Sequence, residues 1–192
     1  MYRRRLNDDP VPRRKVTDQA VVDEVVGNAH GNLARVQELV EAHPDLVNAK
    51  ATWNETPIEA ATQMGNRAII DFLVERGAPV DFFTALVLGR VDGVSRQLAS
   101  SRGVHDLPAL YFAAIGGSVS AAEQLLAAGA DVNANAKAAA PIHGAVMGGS
   151  PEMVKLLLDH GADPSLRDYA GRDARTLAAE IKRPDIEGLF ER

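Results

Sequence analysis

Cysteine is absent from this chain of 192 residues, which removes disulfides, thiolate metal sites and cysteine nucleophiles at once. The reducing cytoplasm is the expected location. Long apolar runs are missing too. Nothing approaches the roughly 20 residues that cross a bilayer, and no apolar signal region follows the N-terminal arginines, so no membrane is expected. Aromatic residues are scarce at 5%, while Ala and Leu abound, a composition suited to short helices packed through small side chains. There is no His-x-x-x-His pair, no glycine-rich phosphate loop and no carboxylate pair at a spacing that compels acid–base chemistry. Neither a metal nor a cofactor is therefore expected.

Charge is uneven only at the start. Residues 1–15 hold Arg3, Arg4, Arg5, Arg13, Arg14 and Lys15 against Asp8 and Asp9, a net of +4 that leaves −9 for the rest of a chain whose total is −5. A basic tail can grip phosphate. This one is interrupted by Asp8, Asp9, Pro10 and Pro12, and no Arg–aromatic interleaving continues into the body. Residues 1–16 read as a solvated basic leader, and nucleic acid is not an expected partner.

What the chain does contain is a repeated pattern. A small-residue turn leads into an apolar helix, then a glycine, a second apolar helix and Gly-Ala. The clearest copy runs from Pro141-Ile142-His143-Gly144-Ala145 through Gly149 and Pro151–Leu158 to Gly161-Ala162-Asp163. It recurs around Thr56-Pro57-Ile58-Glu59-Ala60-Ala61 and around Ala109-Leu110-Tyr111-Phe112-Ala113-Ala114. Twelve residues separate the middle glycine from that of Gly-Ala in each copy, at 65 and 77, 117 and 129, and 149 and 161. Such periodicity signals a stack of two-helix units, none able to bury its apolar stripe alone. Ile69, Ile70, Leu73 and Val74 mark that stripe in one second helix, and Met153, Val154, Leu156 and Leu157 in another.

These residues closely resemble the ankyrin-repeat family, whose Gly-x-Thr-Pro-Leu-His-x-Ala-Ala, Gly, apolar helix and Gly-Ala-Asp-x-Asn pattern is matched by Pro141–Pro164. It is nearly matched by Asn54–Asp81 and Ala109–Asn133. The resemblance implies an all-α ankyrin-repeat solenoid of helix-turn-helix units with short β-hairpin fingers, one domain over residues 17–192. Six units divide at 17–48, 49–80, 81–103, 104–133, 134–165 and 166–192, the first and last as caps. The third is shortened. Gly161 to Ala174 spans 13 residues, enough for a finger, whereas Gly77 to Asp81 spans only 4. A row of fingers with one deleted contains a notch.

Ankyrin-like stacks typically bind through finger tips and the exposed ends of the first helices. Carried over by position, that surface comprises Thr52, Trp53, Glu55, Gln63, Met64, Val87, Leu88, His105, Leu107, Ile115, Lys137, Met147, Tyr169 and Arg172. Its apolar character points to a protein partner. The competing structural reading buries Val87, Leu88 and Ile115 beneath neighbouring loops or a terminal segment. Trp53 at a finger tip offers a contact anchor. His105 beside Asp106, where the family has a turn glycine, is either a solvated loop residue or an acid–base group. His143 falls on the family's structural histidine, and His30, His43 and His160 sit near helix ends. Glu59, three residues after Thr56, reads as half of a capping box. Asp81 reads as a cap.

Two functions compete. The leading one is a noncatalytic module recognising another protein through its concave, finger-bearing face. The alternative is a small apolar ligand, or acid–base catalysis of isomerase, hydrolase or cyclase type, in the notch. There Trp53, Phe82, Phe83, Leu88 and Tyr111 would form the walls, with His105 transferring a proton and Glu55 or Asp106 orienting it.

Overall fold

The computed structural model describes residues 18–135 and 139–191. The basic leader and Lys137 lie outside them. The helices come in pairs: α1 (Gln19–Asn28) with α2 (Leu33–Ala42), α3 (Pro57–Gln63) with α4 (Arg67–Glu75), and α5 (Phe82–Leu88) with α6 (Arg96–Ala99). Three more follow: α7 (Ala109–Ile115) with α8 (Val119–Ala127), α9 (Pro141–Gly148) with α10 (Pro151–Asp159), and α11 (Ala174–Glu180) with α12 (Pro184–Glu187). First helices pack on first helices along the row from α1 to α11. No helix among the described residues is long and apolar enough to cross a membrane.

Short polar side chains start these helices. The Thr56 hydroxyl accepts from Glu59 N–H while the Glu59 carboxylate accepts from Thr56 N–H at 2.8 Å, completing the capping box. Asp81 accepts from Thr84 N–H at 2.8 Å and starts α5 directly after the Gly77 turn, with no finger between. Each such cap is worth about 1 kcal/mol. Ile69, Ile70, Leu73, Met153, Val154 and Leu157 are buried between units, whereas Val74 and Leu156 lie at the edge of the stripe.

The fingers are tight turns, and no strand forms among the described residues. One turn closes through Ala51 N–H to the Glu55 carbonyl at 2.9 Å, another through Gly103 N–H to Leu107 at 2.9 Å, and a third through Asp168 N–H to Arg172 at 2.9 Å. The flanking chain is too short for a ladder; Arg102 and Pro108 make a single isolated bridge.

The expected notch is filled. The turn at residues 101–107 leans over the third unit, and a Cβ at Gly103 would come within 2.8 Å of the Phe112 ring and 3.0 Å of Phe83. Phe83 packs on Phe112 with centroids 5.0 Å apart. Only a small hollow of about 160 Å³ persists there, beside Thr62 and Thr84. The second helix of this unit is a single turn, preceded by irregular chain. While α2 packs on α4, α6 on α8 and α8 on α10, α4 and α6 make no comparable contact.

His143 is wholly buried in the fifth unit, where its Nδ1 accepts from Ala140 N–H at 3.1 Å. Its Nε2–H donates to the carbonyls of Leu166 at 3.0 Å and Arg172 at 3.2 Å, tying α9 to the next finger. Burial pushes the imidazole below its ordinary 6.5, against the opposing pull of Asp168 and the two carbonyls. The unfolded chain therefore binds this proton more readily than the folded one. The stabilisation is full above about pH 6.5 and is lost as pH falls from there towards the folded value.

Two measurements follow. In urea titrations the unfolding free energy should decline between pH 7 and 5, with a shallower decline in His143→Asn; an unchanged slope would place the titration elsewhere. Hydrogen exchange should open residues 82–103 before 141–161, because the third unit has the thinnest interface along the row of second helices. The reverse order would show that the first-helix contacts alone set local stability.

Candidate functional site

The ends of the first helices and the fingers enclose a concave cavity of about 400 Å³. Its apolar walls are Met64, Leu107, Tyr111, Ala139, Met147 and Tyr169, and its polar groups are His30, Gln63, His105 and Asp168. Tyr111 arrives from α7 and is buried, its hydroxyl donating to the Gln63 carbonyl at 3.3 Å. Burial pushes that phenol well above its usual range, so it stays a neutral donor. Asp168 is buried and held by Arg172 through Nε at 2.8 Å and Nη2 at 2.7 Å. Burial resists its ionisation, but this fork and the backbone donors of Ala170 and Arg172 outweigh it and hold the carboxyl below the carboxylate range.

Behind the His30–His105 side of the cavity lies Glu55, only 2% exposed. Its Oε2 accepts from the Trp53 indole N–H at 2.7 Å. His30 Nε2 stands 3.7 Å from Oε2 and His105 Nε2 stands 3.5 Å from Oε1. No hydrogen-bond donor among the described residues satisfies Oε1. His30 also meets the Gln63 amide at 2.6 Å. Among the described residues, no group of three or more His, Asp and Glu is arranged to hold a metal ion.

The surface read from the sequence divides into four parts. Gln63, Met64, His105, Leu107, Met147 and Tyr169 converge on the cavity. Thr52 and Trp53 occupy the adjoining finger; Thr52 is tied to Asp23 through its N–H at 2.8 Å, and Trp53 is 46% exposed. Arg172 is committed to Asp168 and Glu180. Glu55, Val87, Leu88 and Ile115 are buried rather than presented to solvent. For Val87 and Ile115 the cause is visible. A Cβ at Gly116 would collide with the Val87 carbonyl and one at Gly148 with the Ile115 carbonyl, so each unit lies directly on the previous helix end.

The alternative constellation also splits. His105 and Glu55 are brought together, but Asp106 turns away to Arg102, at 3.8 Å, and does not orient the imidazole. Of the expected walls, Tyr111 lines the concave cavity, Phe83 lines the small hollow and Leu88 is buried. His30 is a cavity-lining residue that the sequence reading left out of the candidate surface. It precedes Gly31 as Met64 precedes Gly65, and this shared register was the signal. Asp168, whose partner is four residues on, carried no comparable mark.

Residues 83–168 match a family model described as ankyrin repeats, three copies. A 42-residue stretch covering 22% of the chain is 52% identical to zygote-specific protein 3 of Chlamydomonas reinhardtii and spans 11% of that protein. Over 159 residues, 78% of the chain, it is 32% identical to human BCL-6 corepressor-like protein 1, 9% of which is covered. A 69-residue stretch, 36% of the chain, is 41% identical to E3 ubiquitin-protein ligase hecd-1 of Caenorhabditis elegans and covers 3% of it. The chain thus spans a small part of each relative.

His105 and Asp106 both adopt left-handed backbone, with φ of 54° and 61°. Such geometry costs a residue with a Cβ roughly 1–2 kcal/mol, less for Asp, while glycine loses about 0.4–1 kcal/mol more chain entropy on folding than alanine does. Asp106→Gly should therefore stabilise the protein by a few tenths of a kcal/mol, and by no more than about 1. A lower melting temperature would show that the exposed Arg102 pairing outweighs the strain.

Proposed function

As this chain belongs to the ankyrin-repeat family, we propose that it is a noncatalytic, cytoplasmic recognition module binding another protein through its concave, finger-bearing face. The observation that carries this reading is the apolar cavity bordered by exposed Met64 and Tyr169, with Trp53 exposed on the neighbouring finger. Exposed aromatic and methionine side chains around a pocket are the usual anchors of an interface. The relatives' names denote a zygote-specific protein, a corepressor-like protein and a ubiquitin ligase. A shared segment amid such unlike labels fits a binding surface better than a shared reaction.

A partner would cover roughly 1,200–2,000 Å² in total if the interface is of standard size. Trp53 is suited to anchor it because its indole N–H is already held by Glu55 and its ring loses little freedom on binding.

The second reading, acid–base chemistry on a small ligand, is favoured by one observation: His105 Nε2 lies 3.5 Å from a buried carboxylate beside a cavity of about 400 Å³. The two readings separate in one pair of variants. For recognition, Trp53→Ala should weaken partner binding by about 2 kcal/mol or more, and His105→Ala should change it in either direction by less than about 1. For catalysis, His105→Ala should slow turnover of a candidate substrate about 100-fold, the usual contribution of a positioned acid or base. Partner titration and turnover assays on both variants check the order, and a large His105 rate defect in a folded protein would overturn the noncatalytic reading.

A further inference from the structure

We propose that the concave cavity receives a basic side chain, lysine or arginine, presented by the partner polypeptide. This rests on the concave-face reading and adds the chemistry of the guest. Glu55 is the reason. It is almost fully buried, one oxygen accepts from Trp53, and the other has no hydrogen-bond donor among the described residues. A buried carboxylate oxygen left in this way is rare in a folded protein and costly, because it has given up water without a replacement. No lysine or arginine pairs with Glu55 among the described residues, and none lines the cavity. Besides the Trp53 indole, Nε2 of His30 stands 3.7 Å from Oε2 and Nε2 of His105 stands 3.5 Å from Oε1, both on side chains that line the cavity.

The second carboxylate at the cavity sharpens the contrast. Asp168 is matched by the Arg172 fork, so it adds little net field. Glu55 has no guanidinium or ammonium against it among the described residues, only the imidazoles of His30 and His105, so a cation in the cavity would meet its carboxylate across one side chain. The covering side chain is His105, half exposed on a three-residue turn with left-handed backbone. The walls suit the rest of a basic side chain. Met64, Leu107 and Met147 would pack its methylene stem. Tyr111 and Tyr169 bring aromatic rings to the same lining, where a cation is attracted to a ring face.

The test is an NMR titration of the full chain at pH 7.5 with four single-residue probes: the N-acetyl methylamides of lysine, arginine, norleucine and glutamate. Norleucine has nearly the lysine stem without its charge. Lysine or arginine should bind at least about tenfold more tightly than norleucine, with shifts at His30, His105 and Tyr169. Glu55→Gln keeps an acceptor for Trp53 and should abolish the preference while leaving the wild-type spectrum of the core largely intact. If Glu55→Gln fails to fold, His105→Ala serves instead: by uncovering the carboxylate it should strengthen lysine or arginine binding relative to norleucine. Equal binding of norleucine would overturn the basic guest yet leave an apolar docking cavity, and with it the concave-face reading. A preference for glutamate, or no selective shift at His30, His105 and Tyr169 up to about 10 mM probe, would overturn the proposal as well. Failure of concave-face recognition itself would appear separately, as a partner interaction insensitive to Trp53→Ala.

Discussion

Close stacking of one first helix on the next is the constraint on which the molecule depends. At Gly116 and Gly148 the approach is so tight that any Cβ would strike the carbonyl of Val87 or Ile115 in the preceding unit. Gly148, the last residue of α9, costs up to about 1 kcal/mol of helix propensity relative to alanine, whereas Gly116 lies just beyond α7 as its cap. That cost is offset by burying whole helix ends, and it explains why Val87 and Ile115 are core residues although they occupy positions that ankyrin-like stacks often expose. The same closeness brings α3, α7 and α9 near enough for Gln63, Tyr111 and Met147 to meet at one cavity. The concave cavity is thus a consequence of the packing rule.

The shortened third unit tests that rule. Deleting a finger and most of a second helix removes lateral contact, yet the row stays continuous. Arg67 is one reason. Its guanidinium reaches from the second unit to the Val87 carbonyl at 2.6 Å, the Leu88 carbonyl at 3.3 Å and the Gly116 carbonyl at 3.0 Å. One side chain therefore satisfies helix-end acceptors in the third and fourth units, where a cation also suits the negative end of the helix. Gly65 correspondingly lies against Ile115, two units away. The stack contracts around the deletion instead of opening a cleft.

Sequence periodicity revealed the helix pairs, their apolar stripes, the Thr56–Glu59 box and the Asp81 cap because each depends on residues within one or two turns. The role of His143 was legible through family resemblance. The filled notch was not, since it depends on Gly103 admitting two aromatic rings from different units. Nor was Glu55, which has no local partner beyond Trp53. Its burial follows from contacts with His30, 25 residues before it, and His105, 50 residues after it. Linear spacing says little about such distances. The residue before each middle glycine held a usable clue, yet applying it to His30 required treating the first unit as part of the site instead of as a cap.

The geometry around Glu55 also separates what stabilises the fold from what the proposed recognition would use. Asp168 and Arg172 form a self-contained turn in which the carboxylate accepts backbone donors and a guanidinium fork, leaving it little capacity for a guest. Glu55 closes its turn through its backbone carbonyl but leaves half of its carboxylate without a donor. The neighbouring finger adds two left-handed residues where glycine would relieve strain. Local strain and an unmet acceptor are both features that a purely structural turn can shed by substitution. Both occur at one side of the apolar cavity, on the fingers that carry Glu55 and His105, and under the proposed recognition this is the side that would give up stability for contact with a partner.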